Sequence, residues 1–367
     1  MKVLYLMRNG LHMYPPCMSQ IYYLHDLGID VYVGFSECSP EAKKTLDDKK
    51  IPYIDFGITR SKNKKWGKIQ SYTTYRKHAI KFIKDNYEKG DCIWPGTADS
   101  AFSLRGFIER YPYVLSVLEL YDTNSFYRKQ VAKLVHTAQA IIACESTRAS
   151  IMKSWWKLER KPYVMPNKPY SHPKTRCLQG TTVQTQEAIE KIKDKKIILY
   201  QGIISADRDL GLLAKALKRI DEDIYLVLMG KTFYDGVEKV KQIYDKTIYL
   251  GFFSAPVHLE ITSYATVGVA NYDDSCLNNL FCAPNKIFEY SGFGMPILCS
   301  DSPGLQNTVG KYNAGVCVDF SSENAVVEGI KDIFNNASHY SIGAKKMFES
   351  VDNLSTMKDI VDTIGMG

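Results

Sequence analysis

The chain has 367 residues, 45% of them apolar and 24% charged, with a net charge of +7. That balance excludes a disordered chain, a collagen-like fibre and a small disulfide scaffold, and the length fits about two domains. There is no run of eighteen apolar residues to suggest a membrane span. The start, MKVLYLMRNG, does not read as a signal peptide, because Arg8 interrupts a short apolar stretch. The nine cysteines are odd in number and form no CxxC pair, which reads as a reduced, cytoplasmic chain.

In chain order, strands are predicted at Lys2–Met7, Asp30–Phe35, Pro52–Phe56, Cys92–Pro95, Tyr113–Leu118 and Ala140–Cys144. Helical stretches at Cys17–Leu27, Trp66–Tyr87, Ala98–Arg110 and Thr147–Lys157 alternate with them. Strands rich in Val, Ile, Leu and Tyr that alternate with helices predict a parallel sheet covered on both faces, the doubly wound α/β arrangement. Pro169–Lys196 breaks the alternation with a polar stretch and predicts a connection ending in a polar helix. The pattern then restarts. Strands are expected at Ile197–Tyr200, Ile224–Met229, Thr247–Leu250, Thr266–Ala270, Pro296–Cys299 and Gly315–Val318. Helices are expected at Asp209–Arg219, Gly236–Tyr244, Lys286–Phe293 and Glu323–Phe334, with another after Ser341. The expected division is an N-terminal domain over 1–170, a linker over 171–195 and a second domain over 196–350. A last helix over 351–367 is expected to pack back on the first domain. Two such α/β halves predict two sheet-end crevices facing across a cleft.

The charge is concentrated. Nine Lys/Arg and no acid lie between Arg60 and Lys84, against 38 basic and 40 acidic residues elsewhere. In that segment Trp66, Ile69, Thr73, Ile80, Ile83 and Tyr87 fall near one helical face, and Lys77, Lys81 and Lys84 on another. The segment reads either as a solvated helix face or as a contact for an anionic membrane surface. No recognition fold supports nucleic acid as the partner.

The densest chemical signal is NYDDSCLNNLFCAPNKIFEYSGFGMPILCSD, over Asn271–Asp301. Pro284 is expected in a first helical turn, and Lys286 brings a positive charge to a helix start suited to anions. Glu289 lies one turn further on the same face, where a carboxylate suits a ribose diol; the alternative is a surface Lys–Glu pair. In QGIISADRDLGLL, Gly202 ends a strand and Arg208 precedes or opens the next helix, within reach of a diphosphate or simply exposed. Asn9-Gly10 after the first strand is either a ligand approach or a turn. The Asp221-Glu222-Asp223 triplet reads as a solvated loop, Asp273-Asp274 does not define a metal site, and His136 reads as an ordinary helix residue. GxGxxG is absent, which weighs against a nicotinamide dehydrogenase.

Gly202, Arg208, Glu289, Gly294 and Pro296, in this order and context, resemble the GT-B glycosyltransferases, specifically the family-4-like group of polysaccharide and glycan assembly. LVLMG (Leu226–Gly230), IYLGFFS (Ile248–Ser254) and VMPNKP (Val164–Pro169) are similar to that group's strands, and ELYD (Glu119–Asp122) resembles a late strand of its first domain. The resemblance implies a hexosyltransferase that uses a nucleotide diphosphate-sugar, retains stereochemistry, needs no metal or other cofactor, and acts on a glycan or lipid-linked acceptor. Arg208 and Lys286 are then expected to neutralise the leaving diphosphate, Glu289 to hold the ribose, and Phe252 to line the base. Gly10 and Gly202 would lie close to the donor, and Glu119 or Asp122 near the reacting sugar. Phe281 stands where the group often has a glutamate, which leaves Asn279 and the backbone amides of Leu280, Phe281 and Cys282 as the donor-facing groups of that loop. Peripheral contact with the inner face of the membrane accompanies this reading. A UDP-sugar 2-epimerase of the same fold and a non-catalytic two-domain binding protein are the alternatives.

Overall fold

A computed structural model describes residues 1–58, 66–205, 208–220, 222–232 and 234–365, with backbone only at Trp66 and Lys68. The chain divides into two compact units: Met1–Pro166 with Asp352–Gly367, and Asn167–Val351.

Unit one carries β1 (Lys2–Gly10), β2 (Asp30–Glu37), β3 (Tyr53–Asp55) and β4 (Cys92–Pro95), followed by β5 (Val114–Val117), β6 (Ala140–Ala143) and β7 (Tyr163–Val164). The order is β3-β2-β1-β4 in one sheet and β5-β6-β7 in the other. A parallel bridge between Ile93 and Tyr113 joins them. All pairings are parallel, and the order reverses between β1 and β4. β1 is buried from Val3 to Gly10, as a central strand covered on both faces should be. One buried polar knot interrupts this core: Gln20 Oε1 accepts from the Tyr5 hydroxyl at 2.8 Å, Trp94 Nε1 at 3.2 Å and Ser116 Oγ at 3.1 Å. With every donor satisfied, the knot fixes register rather than weakening the core. The last helix, Asn353–Gly365, belongs to this unit and is tied to β7 by the Tyr163–Thr363 hydroxyl pair at 2.6 Å.

Unit two carries β8 (Lys196–Gln201), β9 (Ile224–Met229), β10 (Thr247–Gly251), β11 (Val267–Ala270), β12 (Ile297–Ser300) and β13 (Gly315–Val318). Its sheet is wholly parallel in the order β10-β9-β8-β11-β12-β13. Side chains alternate between two cores, one on each face: Ile197 and Leu199 join one layer, Ile198 and Tyr200 the other. That two-sided burial is why the strands read as unbroken apolar runs. The order reverses between β8 and β11, where such sheets hold ligands beyond their C-terminal ends.

Two expectations need correction. The 171–195 stretch expected as a linker is part of unit two. Arg176 Nε donates to the Ser263 carbonyl at 3.1 Å, and Leu178 N to Ser263 Oγ at 3.0 Å. The helix Val183–Glu190 places Ile189, followed by Ile192, in the core. Few apolar residues suffice because backbone hydrogen bonds dock the rest of the segment. The helix Trp66–Asn86 also packs through a different face. Ser71, Tyr75, Ala79, Phe82 and Ile83 are buried, whereas Ile69 is 57% exposed and Thr73 is exposed. The interior takes Tyr75, which meets Phe56 edge-on and was not on the expected face, while Ile69 turns to solvent. Lys77, Lys81 and Lys84 are exposed as expected, and Lys81 sits 3.8 Å from Asp85. Arg60, Lys62, Lys64 and Lys65 lie outside the described residues, as do the Trp66 and Lys68 side chains.

Candidate functional site

In unit two the chain leaves β8 at Gly202, with φ +125°, a region open to glycine alone. A Cβ there would stand 3.2 Å from Lys286 Nζ. Gly230, with φ +151°, follows β9 and abuts the Gly202 carbonyl so closely that a Cβ would overlap it. Two glycines thus open the sheet end beside a lysine.

Lys286 lies in the first turn of the helix Asn285–Gly292, and Pro284 is its N-cap rather than a residue of the first turn. The extended Pro284 backbone, ψ 154°, sets the entry of the helix. The lysine is 6% exposed, and its Nζ has no hydrogen-bond partner among the described residues. It rests on aromatic faces instead, 4.2 Å from the Tyr200 ring centroid and 5.4 Å from that of Tyr272. Burial, then repulsion from Arg208, lowers its pKa to about 7. Arg208 precedes the helix Gly211–Arg219 and stacks on the other neighbour, 4.9 Å from the Tyr272 ring centroid. Tyr272 thus carries a cation from each side, Lys286 and Arg208, and the Asp273 carboxylate lies close enough to Arg208 to feel its charge.

Glu289 is 7% exposed and hydrogen-bonded through both oxygens. His258 Nε2 lies 3.2 Å from Oε1, and Gln201 Nε2 donates to Oε2. Gln201 is itself fixed by Thr262 Oγ1, which donates to its Oε1 at 2.7 Å. Burial raises the carboxyl pKa, but the charge and hydrogen bond of His258, with His172 and Lys286, outweigh it and hold the group below the ordinary glutamate value. His172 Nε2 meets the Glu289 carbonyl at 2.8 Å. The carboxylate is thus a fixed anion, not an exposed partner for Lys286 at one helical turn.

The structure therefore brings Gly202, Arg208, Lys286 and Glu289 together. Phe252, after β10, is 48% exposed with Lys231 Nζ 4.4 Å over its ring. Asn279 donates to Asp273 Oδ1 at 2.5 Å and shapes the loop rather than facing outward through that amide. Partial burial raises the Asp273 carboxyl, but hydrogen bonds from Ser275 and Asn279, with the charge of Arg208, outweigh it and hold the group low. The backbone amides of Leu280, Phe281 and Cys282 bond the carbonyls of Cys276, Leu277 and Asn279, so they are spent inside the loop. This corrects the expectation that they face a donor: the short helix Leu277–Leu280 uses them.

In unit one, Gly10 is the last residue of β1, and a Cβ on it would meet the His12 ring at 2.9 Å. Glu119, half exposed, pairs with buried Arg148 at 3.5 Å, and the Asp122 carbonyl accepts from Arg128 at 3.4 Å. Glu222 and Asp223 make surface ion pairs with Lys196 and Lys246, while Asp221 lies outside the described residues. His136 is an exposed helix C-cap. Among the described residues no group of three or more His, Cys, Asp or Glu could hold a metal ion, and no helix is long and apolar enough to cross a membrane. Sequence reading missed Tyr272, Gln201 and His258. Tyr272 and Gln201 each adjoin a recognised strand end, a position that carries a signal, but His258 carries none.

The fold is that of the GT-B class, two parallel, doubly wound units. Residues 183–347, nearly all of unit two, match the family model of glycosyl transferases group 1. No curated protein matches the chain by sequence. Among solved structures, the chain is similar to HepE of Anabaena in complex with UDP and glucose, at 14% identity, TM-score 0.72 and full coverage of both chains. It is also similar to sucrose-phosphate synthase of Thermosynechococcus elongatus, at 16% identity and TM-score 0.68, covering 100% of this chain and 98% of that one. A candidate UDP-N-acetylglucosamine 2-epimerase of Listeria monocytogenes shares the fold at 12% identity and TM-score 0.61, with 98% and 95% covered.

Proposed function

We propose that the protein transfers a sugar from a nucleotide diphosphate-sugar to a glycan or lipid-linked acceptor during cell-surface polysaccharide synthesis. Unit two binds the donor and unit one the acceptor. The observation that carries this reading is Lys286: a buried ammonium without a hydrogen-bond partner among the described residues, beside a glycine-opened strand end and a second cation. A diphosphate supplies the missing negative charge. Arg208 and Lys286 stabilise that charge as the glycosidic bond to phosphate breaks, the step in which electrostatic preorganisation contributes most. This is the task a divalent cation performs in other phosphate-leaving reactions, and we propose a metal-independent transfer with retention of configuration. Glu289, fixed by His258 and Gln201, accepts hydrogen bonds from the ribose hydroxyls through its remaining lone pairs. Phe252 lines the base, and Gly202 and Gly10 lie close to the donor. Glu119 or Asp122 serves the reacting sugar. The UDP bound in the HepE structure supports a uridine donor as the first to try, and the exposed Lys77, Lys81 and Lys84 support a role for anionic lipid at unit one.

The test is to supply UDP-, GDP- and ADP-sugars and follow nucleotide diphosphate release with and without candidate acceptors. Release that requires an acceptor, and is abolished by Arg208→Ala, supports transfer. Interconversion of free UDP-sugars without any acceptor would replace it with epimerisation.

A further inference from the structure

Two free thiols meet in unit two, outside the residues assigned to the donor. Cys299 on β12 and Cys317 on β13 are register partners in a parallel pair, and their sulfurs lie 3.4 Å apart. Both face the core layer that holds Leu199 and Ile297. Neighbouring strands stand about 4.8 Å apart. That spacing falls inside the range of about 4.4–6.8 Å that a disulfide spans between Cα atoms.

The two sulfurs have different surroundings. Cys299 is wholly buried, and burial pushes its thiol well up. Cys317 is half-buried, and hydrogen bonds from the Cys299 thiol and the Gly310 amide hold it below the ordinary cysteine value. Thiolate character and access single out Cys317 as the sulfur an oxidant meets first, with Cys299 behind it as the resolving thiol.

The pair also adjoins the candidate site. Ser300 follows Cys299, and its Oγ accepts from the Tyr272 amide at 2.8 Å and donates to Asn271 Oδ1 at 3.0 Å. Asn271 Nδ2 donates in turn to the carbonyl of Asp209, the residue after Arg208, at 2.7 Å. Tyr272 is the ring that carries Lys286 and Arg208. Bond formation would shorten the sulfur contact to about 2.05 Å, and a close-packed interior transmits such a shift to its neighbours.

We propose that hydrogen peroxide converts Cys299 and Cys317 to a reversible disulfide, and that this bond weakens nucleotide diphosphate binding through Ser300 and Tyr272. The regulatory half rests on the donor reading and deepens it. The Cys317 thiolate attacks one peroxide oxygen; an S–O bond forms, the O–O bond breaks, and the departing hydroxide takes up a proton to become water. The Cys299 thiol then attacks the Cys317 sulfur, loses its proton and displaces the hydroxyl as a second water. Two electrons pass from the sulfurs to the peroxide, and a dithiol returns them.

The test treats the full chain with hydrogen peroxide, alkylates the remaining thiols and maps the peptides by mass spectrometry, before and after dithiothreitol. A peptide pair linked through Cys299 and Cys317, and released by dithiothreitol, is expected. Thermal-shift titrations with UDP, GDP, ADP and CMP follow on the reduced and oxidised chain. Whichever nucleotide binds the reduced chain should need at least about fivefold more to bind the oxidised one, the lower end of ordinary coupling between sites. In Cys317→Ser the peroxide should move that midpoint less than twofold, and Cys317→Ala serves the same purpose if the serine variant fails to fold. No linked pair, a link from Cys282 instead, an unchanged midpoint in the linked chain, or an equal shift in the Cys317 variant would overturn the proposal. If none of the four nucleotides binds the reduced chain, the donor reading falls and takes the regulatory half with it. Nucleotide binding to the reduced chain without a linked pair overturns the disulfide alone.

Discussion

The C-terminal ends of the two sheets occupy the same topological place and balance their charges in opposite ways. In unit one, buried Arg8 is locked to Asp99 and its charge is balanced within the protein. In unit two, buried Lys286 has no such partner, and the nearest fixed carboxylate, Glu289, is held by His258 and Gln201. Fold alone therefore does not decide what a switch point receives. The pairing of one buried cation does: a satisfied pair leaves no charge for an anion, and an unsatisfied one suits an anion.

The comparison breaks most readily at the cations. Arg208→Ala and Lys286→Ala should each lower nucleotide diphosphate release by about 10²–10³-fold, the scale seen when a preorganised charge-stabilising group is removed. A steady-state assay of either variant that returned wild-type rates would erase the contrast between the units. Glu289→Gln should act more gently, by roughly tenfold to a hundredfold, because it weakens charge-assisted hydrogen bonds worth about 1.5–3 kcal/mol each. Its effect should fall on donor KM, since the carboxylate serves binding of the ribose.

Gly202→Ala sharpens the account of why the donor end is open. It forces a side chain into a glycine-only conformation beside Lys286, at a cost of about 1–3 kcal/mol. Thermal unfolding should show that loss, together with weaker donor binding.

Lys286 gives a pH signature of its own. Its folded pKa is lowered to about 7, so between there and the ordinary lysine value the unfolded chain binds more protons than the folded one. Stability from this group must then rise with pH across that window. Lys286→Met should flatten the profile and raise the melting temperature below pH 7. Diphosphate binding acts in the opposite sense, because it favours the charged ammonium. Donor affinity should fall as pH climbs above about 7, by up to tenfold per pH unit. The smallest effect belongs to the helix surface: Lys77→Gln and Lys84→Gln should change stability within about 0.5 kcal/mol.

Much of this was legible in the sequence, and for physical reasons. Strands buried on both faces are unbroken apolar runs, so Cys92–Pro95 and Ile224–Met229 have the bounds expected, and the apolar edge strand Gly315–Val318 matches as well. Local grammar exposed Gly202, Arg208, Lys286 and Glu289, since glycine breaks, helix starts and a one-turn spacing are short-range signals. What stayed hidden is long-range. His258 lies 31 positions from Glu289, and nothing in the helix His258–Thr262 announces that its first residue will meet that carboxylate. Arg8 and Asp99 are 91 positions apart, and only the parallel pairing of β1 with β4 makes them neighbours. The 171–195 stretch misled through its composition, because it docks by backbone and arginine hydrogen bonds that hydropathy does not register.

The central claim is that Lys286 and Arg208 of unit two receive a nucleotide diphosphate. The most direct measurement is a thermal-shift titration with UDP, GDP, ADP and CMP on the wild type and on Arg208→Ala/Lys286→Ala. The account predicts that at least one nucleoside diphosphate raises the wild-type melting temperature in a saturable way and leaves the double variant unmoved. A double variant stabilised as strongly as the wild type would contradict it.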